Sequence, residues 1–242
     1  VIHLAALTGV RPSLKHPQAY IDNNITGFKN ILEAARTNNV KHIIYASSSS
    51  VYGANTTTPY SELQQTDKPI SVYAASKKTN ELFAELYSSL YGLNITGLRF
   101  FTVYGPWTRP DMAAYLFMKA IADETSIQLF DKGNLLRDFT YIDDVTNAIE
   151  MLLEKQLGTS ESAHRIFNVG HHAPVKVSEF LATIEKHMGK KAIVTFSDMQ
   201  PGDMPATYAS VERLQQYLGI VPTTTTEEGI AKMVRWFKEY YY

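Results

Sequence analysis

The chain has 242 residues, 45% of them hydrophobic, and a formal charge of −1. That length can bury one large core or two small ones, and the balanced charge gives no field for nucleic acid or an anionic membrane surface. With no cysteine there is no disulfide, thiolate nucleophile or cysteine-ligated metal, and no apolar run approaches the roughly 20 residues of a membrane span.

A cytoplasmic location is the default expectation. Short β-branched runs alternate with longer helical stretches, the pattern of βαβ units around a parallel sheet. Val1-Ile2-His3-Leu4 reads as a buried strand already under way, with no initiating Met, so we expect a preceding segment. Residues 17–38 carry Ile21, Ile25, Phe28, Ile31, Leu32 and Ala35 at helical spacing. Residues 42–46 form a strand that runs into Ser47-Ser48-Ser49-Ser50. Residues 73–90 form a long amphipathic helix closed by Gly92, and 95–101 the next strand.

Beyond Gly105-Pro106 the elements shorten. A polar loop at 107–111 leads into a helix at 112–122 and a strand at 127–130. An extended segment at 139–141 precedes a helix N-capped by Asp143 or Asp144. A strand at 166–169, a helix near 177–187, a strand near 193–196 and helices near 211–218 and 227–240 complete the reading. The threonines at 223–226 mark a helix entry. In an open α/β sheet the ligand crevice lies beyond the strand C-termini, so residues 47–50 and 101–105 face it.

Tyr73 and Lys77 are four apart and project from one helical face. A tyrosine titrates near 10 and is a poor base at neutral pH, but a cation held beside it favours the phenolate. Such a pair can move a proton to or from a hydroxyl. The spacing alone is weak: with 15 tyrosines, about one such pair is expected by chance, and Tyr115 and Lys119 supply one. We read that second pair as a helix face with a snorkelling lysine. What separates Tyr73 is the serine-rich strand end upstream and Arg99-Phe100-Phe101-Thr102 on the next strand, which converge on one crevice.

Together, Ser47-Ser48-Ser49-Ser50-Val51-Tyr52-Gly53, Tyr73-Ala74-Ala75-Ser76-Lys77, Leu98-Arg99-Phe100-Phe101-Thr102-Val103-Tyr104-Gly105-Pro106 and Arg137-Asp138-Phe139-Thr140-Tyr141-Ile142-Asp143-Asp144-Val145 resemble the extended short-chain dehydrogenase/reductase family. Within it, Arg109-Pro110-Asp111-Met112-Ala113 and Gln200-Pro201-Gly202-Asp203 are most similar to the UDP-glucuronate 4-epimerases. The resemblance implies an α/β fold: a partial Rossmann-like doubly wound parallel sheet, its first βαβαβ half absent, with a smaller α/β substrate-binding domain. Residues 1–107, with a return at about 139–170, would form the remaining NAD-binding part. Residues 108–138 and 171–242 would bind the sugar nucleotide.

The family's roles map as follows by resemblance. Tyr73 corresponds to the catalytic base, Lys77 to the residue that binds the nicotinamide ribose and depresses the tyrosine pKa, and Ser48 to the hydroxyl bonded to sugar O4. Ala5, Ala6, Asn24 and Phe100 line the cofactor, NAD. Arg137 clamps the diphosphate, Asp203 accepts from the uridine ribose, and Phe130 packs on the uracil. Ser48, Ser49, Thr102 and Arg109 supply donors for a sugar carboxylate. Dehydratases of the family carry Asp and Glu where Ser49 and Ser50 stand, and decarboxylases a Glu at the second place, so a C4 epimerisation through a transient 4-keto sugar is the reaction implied.

Three alternatives stay open: a UDP-glucose/galactose 4-epimerase, a UDP-glucuronate decarboxylase, and an inactive nucleotide-sugar-binding homologue. The family's glycine-rich phosphate loop is not in the sequence, and with it goes the acidic residue that selects NAD over NADP. We expect it upstream of Val1, and expect residues 1–242 to be inactive without it. The resemblance also implies a homodimer through a four-helix interface, with helices 17–38 and 73–90 as candidates. No metal is expected: His171-His172 has no carboxylate at ligand spacing.

Overall fold

The computed structural model describes residues 1–155, 164–199 and 204–241. From β1 (Ile2–His3) the chain enters α1 (Val10–Lys15) and a longer helical path: α2 (Pro17–Tyr20), a π-helical stretch over Ile21–Thr26, and α3 (Gly27–Thr37). The helix read over 17–38 is therefore one path with a widened turn inside it. Apolar periodicity runs on through such a turn, so the sequence does not register it. Nor does it register α1, whose six residues include Pro12 and span too few turns to show a period.

Next come β2 (Ile43–Ser48), α4 (Val72–Tyr91) and β3 (Ile95–Phe100). The hydroxyl of Ser71 caps α4 by accepting from the Ala74 N–H at 3.0 Å. Gly92 ends the helix as expected, in the left-handed conformation (φ 66°), and returns its N–H to the Ser88 carbonyl at 2.8 Å.

The chain continues through β4 (Thr102–Tyr104), α5 (Ala113–Ala122), β5 (Ser126–Phe130), β6 (Leu136–Arg137), β7 (Phe139–Tyr141) and α6 (Ile142–Glu154). The last elements are β8 (His164–Val169), β9 (Val175–Lys176), α7 (Val177–Met188), β10 (Ile193–Ser197), β11 (Ala206–Thr207), α8 (Glu212–Leu218) and α9 (Thr226–Tyr241).

The chain divides into two compact units. The first comprises Val1–Phe100, Ile149–Val169 and Ser210–Gly219. It holds a parallel sheet in the order β1-β2-β3-β8. β2 and β3 are almost wholly buried, which their run of Ile, Tyr, Leu and Thr anticipates for strands covered on both faces. Phe28 and Leu32 of α3, Tyr45 of β2, Ala84 of α4 and Ile95 of β3 form its apolar cluster.

The second unit comprises Phe101–Ala148, Gly170–Ala209 and Ile220–Tyr242. Its pairings are short: β5 with β10, β4 with β7, and β6 between β11 and β9. Its core centres on Phe139 and Phe180, stacked with ring centroids 3.8 Å apart, with Met118, Ile184, Met233 and Phe237 around them.

This division differs from the sequence reading in two places. Residues 101–107 and 139–148 fall in the second unit, because β4 pairs with β7 rather than extending β3. Residues 210–219 fall in the first, where Tyr217 lies against Phe167 of β8 at 5.0 Å. The helix entry at 223–226 is a capping box: Thr225 Oγ1 accepts from the Glu228 N–H, and the Glu228 carboxylate accepts from the Thr225 N–H.

The role read for Asp143 and Asp144 is corrected. Both sit inside the first turn of α6, where negative charge suits the helix dipole, rather than outside it as a cap. Asp144 accepts from the N–H and hydroxyl of Thr224, each at 3.0 Å, and Asp143 from Lys232 at 3.1 Å.

Candidate active site

Because β1, β2, β3 and β8 run parallel, their C-terminal ends share one edge: His3, Ser48, Phe100 and Val169. Ser48 is in register with Phe100, and Phe100 with Val169. Beyond Ser48 the chain turns through a short 3₁₀ segment, Ser49–Tyr52. Ser48 Oγ accepts from the Ser50 N–H at 3.2 Å, an arrangement that leaves the serine's own O–H to donate elsewhere.

α4 carries Tyr73, half-buried, and Lys77, almost fully buried, one turn apart. The Lys77 ammonium donates to the Ala46 carbonyl at 2.8 Å, two residues before Ser48. Burial pushes its pKa down from 10.5 to about 8. The tyrosine ring meets Tyr20 edge-on at 6.3 Å.

Asn24, inside the π-helical stretch, is buried and ties this cluster to the segment after β1. Its amide exchanges hydrogen bonds with the Leu7 backbone, accepting at 2.8 Å and donating at 2.9 Å. It also donates to Ser76 Oγ at 3.0 Å, and that hydroxyl donates to the Tyr73 carbonyl. The segment bearing Ala5 and Ala6 is thus anchored to the helix bearing Tyr73. Ala5 is exposed and Ala6 partly so. His3 stacks on Phe28, and burial, assisted by the Lys77 charge, lowers its pKa.

Beneath this edge lies a polar network to which the sequence alone assigns no role. Ser47 Oγ donates to Glu81 Oε1 at 2.7 Å, and Arg99 binds both oxygens of Glu81, at 2.8 and 2.9 Å. Arg99 Nη1 donates to the Tyr52 hydroxyl, which donates to Asn168 Oδ1 at 2.6 Å. Asn168 in turn donates to the carbonyls of Tyr60 and Ser210. Burial works against the Arg99 charge, yet the bonds and charge of Glu81 prevail and hold its pKa above the ordinary value. The signal that could have found Glu81 is its place four residues after Lys77, on the same helical face.

The remaining site residues belong to the second unit. Thr102 lies in β4 and Phe130 ends β5, both partly buried. Arg109 makes a two-pronged pair with Asp111, at 3.0 and 3.2 Å. Arg137 Nη1 donates to the carbonyls of Leu136 and Met204. Asp203, with Gln200-Pro201-Gly202, lies outside the described residues. The second Tyr–Lys pair is a half-buried helix face: Tyr115 packs edge-on against Phe237 of the second unit's core, and Lys119 pairs with Asp123 at 2.8 Å. The backbone N–H groups of His171 and His172 both donate to the Asp138 carboxylate.

A parallel sheet wrapped by helices, with a serine at one strand end and a Tyr–Lys pair on the following helix, defines the short-chain dehydrogenase/reductase class. A profile of the NAD dependent epimerase/dehydratase family matches residues 1–170, and the chain belongs to that family. Protein CapI of Staphylococcus aureus is 48% identical over 254 residues, spanning 100% of this chain and 76% of that protein. A probable UDP-glucuronate 4-epimerase of Rhizobium meliloti (strain 1021) is 42% identical over 255 residues, spanning 100% of this chain and 75% of that one. The crystal structure of UDP-glucuronic acid 4-epimerase from Bacillus cereus, in complex with UDP-glucuronic acid and NAD, superimposes with a TM-score of 0.88 at 32% identity, covering 99% of this chain and 76% of that one.

Proposed function

We propose that the protein interconverts UDP-glucuronate and UDP-galacturonate by inverting C4 of the sugar, with NAD as its cofactor. The observation that carries this reading is the Tyr73–Lys77 pair on α4, its ammonium bonded to the strand that ends in Ser48. The likeness to the Rhizobium and Bacillus proteins supplies the substrate class.

The residues present fit a nicotinamide dinucleotide. An ammonium has three N–H donors, and the Ala46 carbonyl is the acceptor Lys77 uses, which leaves donors for a ribose diol. When bound, NAD supplies the reversible removal and return of hydride at C4. The rest falls to this chain. Tyr73 accepts the O4 proton in one half of the cycle and returns it in the other. The buried Lys77 charge favours the phenolate form that this role requires. Ser48, whose O–H has no acceptor among the described residues, donates to O4. No carboxylate lies between residues 47 and 53, which supports epimerisation over dehydration or decarboxylation.

On this reading the first unit holds the dinucleotide, with Ala5, Ala6 and Phe100 along it, and the second holds the nucleotide sugar; Asn24, buried and bonded to the Leu7 backbone and Ser76, anchors the segment that bears Ala5 and Ala6 rather than touching the cofactor. Thr102 and Arg109 receive the sugar carboxylate, which takes the place of Asp111 on the guanidinium. Arg137 holds the diphosphate, Phe130 the uracil and Asp203 the ribose. The protein is taken as a cytoplasmic homodimer: its small-molecule reactants argue for the compartment, and an exposed apolar stripe on α4, Leu82, Leu86 and Leu90, argues for the second copy. No described helix is long and apolar enough to cross a membrane.

The test is Tyr73→Phe in purified full-length protein supplied with NAD, with sugar interconversion followed by NMR. Turnover of UDP-glucuronate should fall by about 10³-fold, the scale of a lost general base. Near-normal turnover in the variant overturns the reading, as does a preference of the unaltered protein for UDP-glucose.

A further inference from the structure

We infer that Ser47, Glu81 and Arg99 are positioning residues: together they fix the register of α4 against β2, and so the spacing between Ser48 and the Tyr73–Lys77 pair. The use made of that spacing rests on the function proposed above; the register itself is a matter of geometry.

Two rungs join the end of β2 to successive turns of α4. The first runs from the Ala46 carbonyl to the Lys77 ammonium, the second from the Ser47 hydroxyl to the Glu81 carboxylate. Tyr73, Lys77 and Glu81 are spaced four apart, so they share one face of the helix. A slide of α4 along the strand would break both rungs at once.

Arg99 closes the arrangement from β3, where it is in register with Ser47. Its guanidinium is held by both Glu81 oxygens and also bonds the Tyr52 hydroxyl, in the turn just after Ser48. Ser48 is thereby bracketed: the residue before it is tied to Glu81, and the turn after it to Arg99. Both members of the ion pair are nearly inaccessible, with side chains 3% and 2% exposed. A pair buried this deeply contributes little net stability over an apolar pair of the same shape. Its two-pronged geometry and shared oxygen do contribute direction, which apolar packing lacks. Asn168 extends the hold to the backbone of Tyr60 and Ser210.

Ser47→Ala removes one rung and leaves the ion pair, while Glu81→Asp keeps the charge and shortens the arm by one methylene. Measured on full-length protein with NAD and UDP-glucuronate, each should lower kcat by about 10- to 100-fold, the scale of a sub-ångström to 1 Å misplacement, with KM within about twofold. A second readout needs no turnover: the Lys77 side-chain titration, followed by NMR of labelled lysine. It should move from about 8 toward the ordinary lysine value as α4 loosens and water reaches the ammonium. An unchanged kcat and an unmoved Lys77 titration, with only a lower unfolding midpoint, would overturn the inference. Should the unaltered protein fail to turn over UDP-glucuronate, the functional reading falls, and the Lys77 titration alone then decides this one.

Discussion

Lys77 shows what a single buried charge does to stability. Taking its ammonium out of water lowers its pKa from 10.5 to about 8, a shift equivalent to about 3 kcal/mol against the charged form. The folded value lies below the unfolded one, so between these limits the unfolded chain holds more protons, and stability rises with pH. Lys77→Met removes this dependence. Urea unfolding of protein and variant should show the variant more stable near pH 7, the difference shrinking as pH climbs from 8 toward 10.5. A gap constant with pH would mean that the ammonium is solvated.

Among the elements, α9 depends on a residue with no side chain. A Cβ on Gly229 would fall against the Tyr104 hydroxyl of β4 and within 2.8 Å of a Tyr141 ring carbon of β7, so the helix can approach these strands only as glycine permits. Gly229→Ala should destabilise by about 1–3 kcal/mol, the usual scale of overpacking, read as a lower denaturant midpoint. The Tyr104 hydroxyl finds no hydrogen-bond partner among the described residues. Tyr104→Phe in the Gly229→Ala background should therefore recover part of the loss, since it frees space without abandoning a bond. No recovery would place the clash on the rings of Tyr104 and Tyr141 rather than on the hydroxyl.

At the scale of the whole molecule the question is what covers α4. Leu82, Leu86 and Leu90 recur every four residues and are 59%, 48% and 63% exposed, although this is the helix that also carries the Tyr73–Lys77 pair. On the homodimer proposed above, a second copy covers them. Leu86→Glu would then place an unpaired charge in the interface, and light scattering should show the mass fall by half. Unaltered protein that runs as a monomer at micromolar concentration would remove the proposal.

Much of this was readable from residue order. The strands β2 and β3 follow from apolar runs between helical stretches, the end of α4 from Gly92, and the start of α9 from the threonines at 223–226, because each element is marked by residues close together in the chain. The Tyr73–Lys77 pair is equally local, since helical spacing alone puts both on one face. What only the tertiary structure decided involves partners far apart in the chain. Ser47 reaches Glu81 across 34 positions, Arg99 reaches Tyr52 across 47, and Asn168 reaches Tyr60 across 108. The short pairings of β4, β6, β9 and β11 are of the same kind, two or three residues long and too brief to carry a period. Local spacing specifies a helix or a strand end; which buried polar groups satisfy one another is set only when the chain closes and each must find its partner out of water.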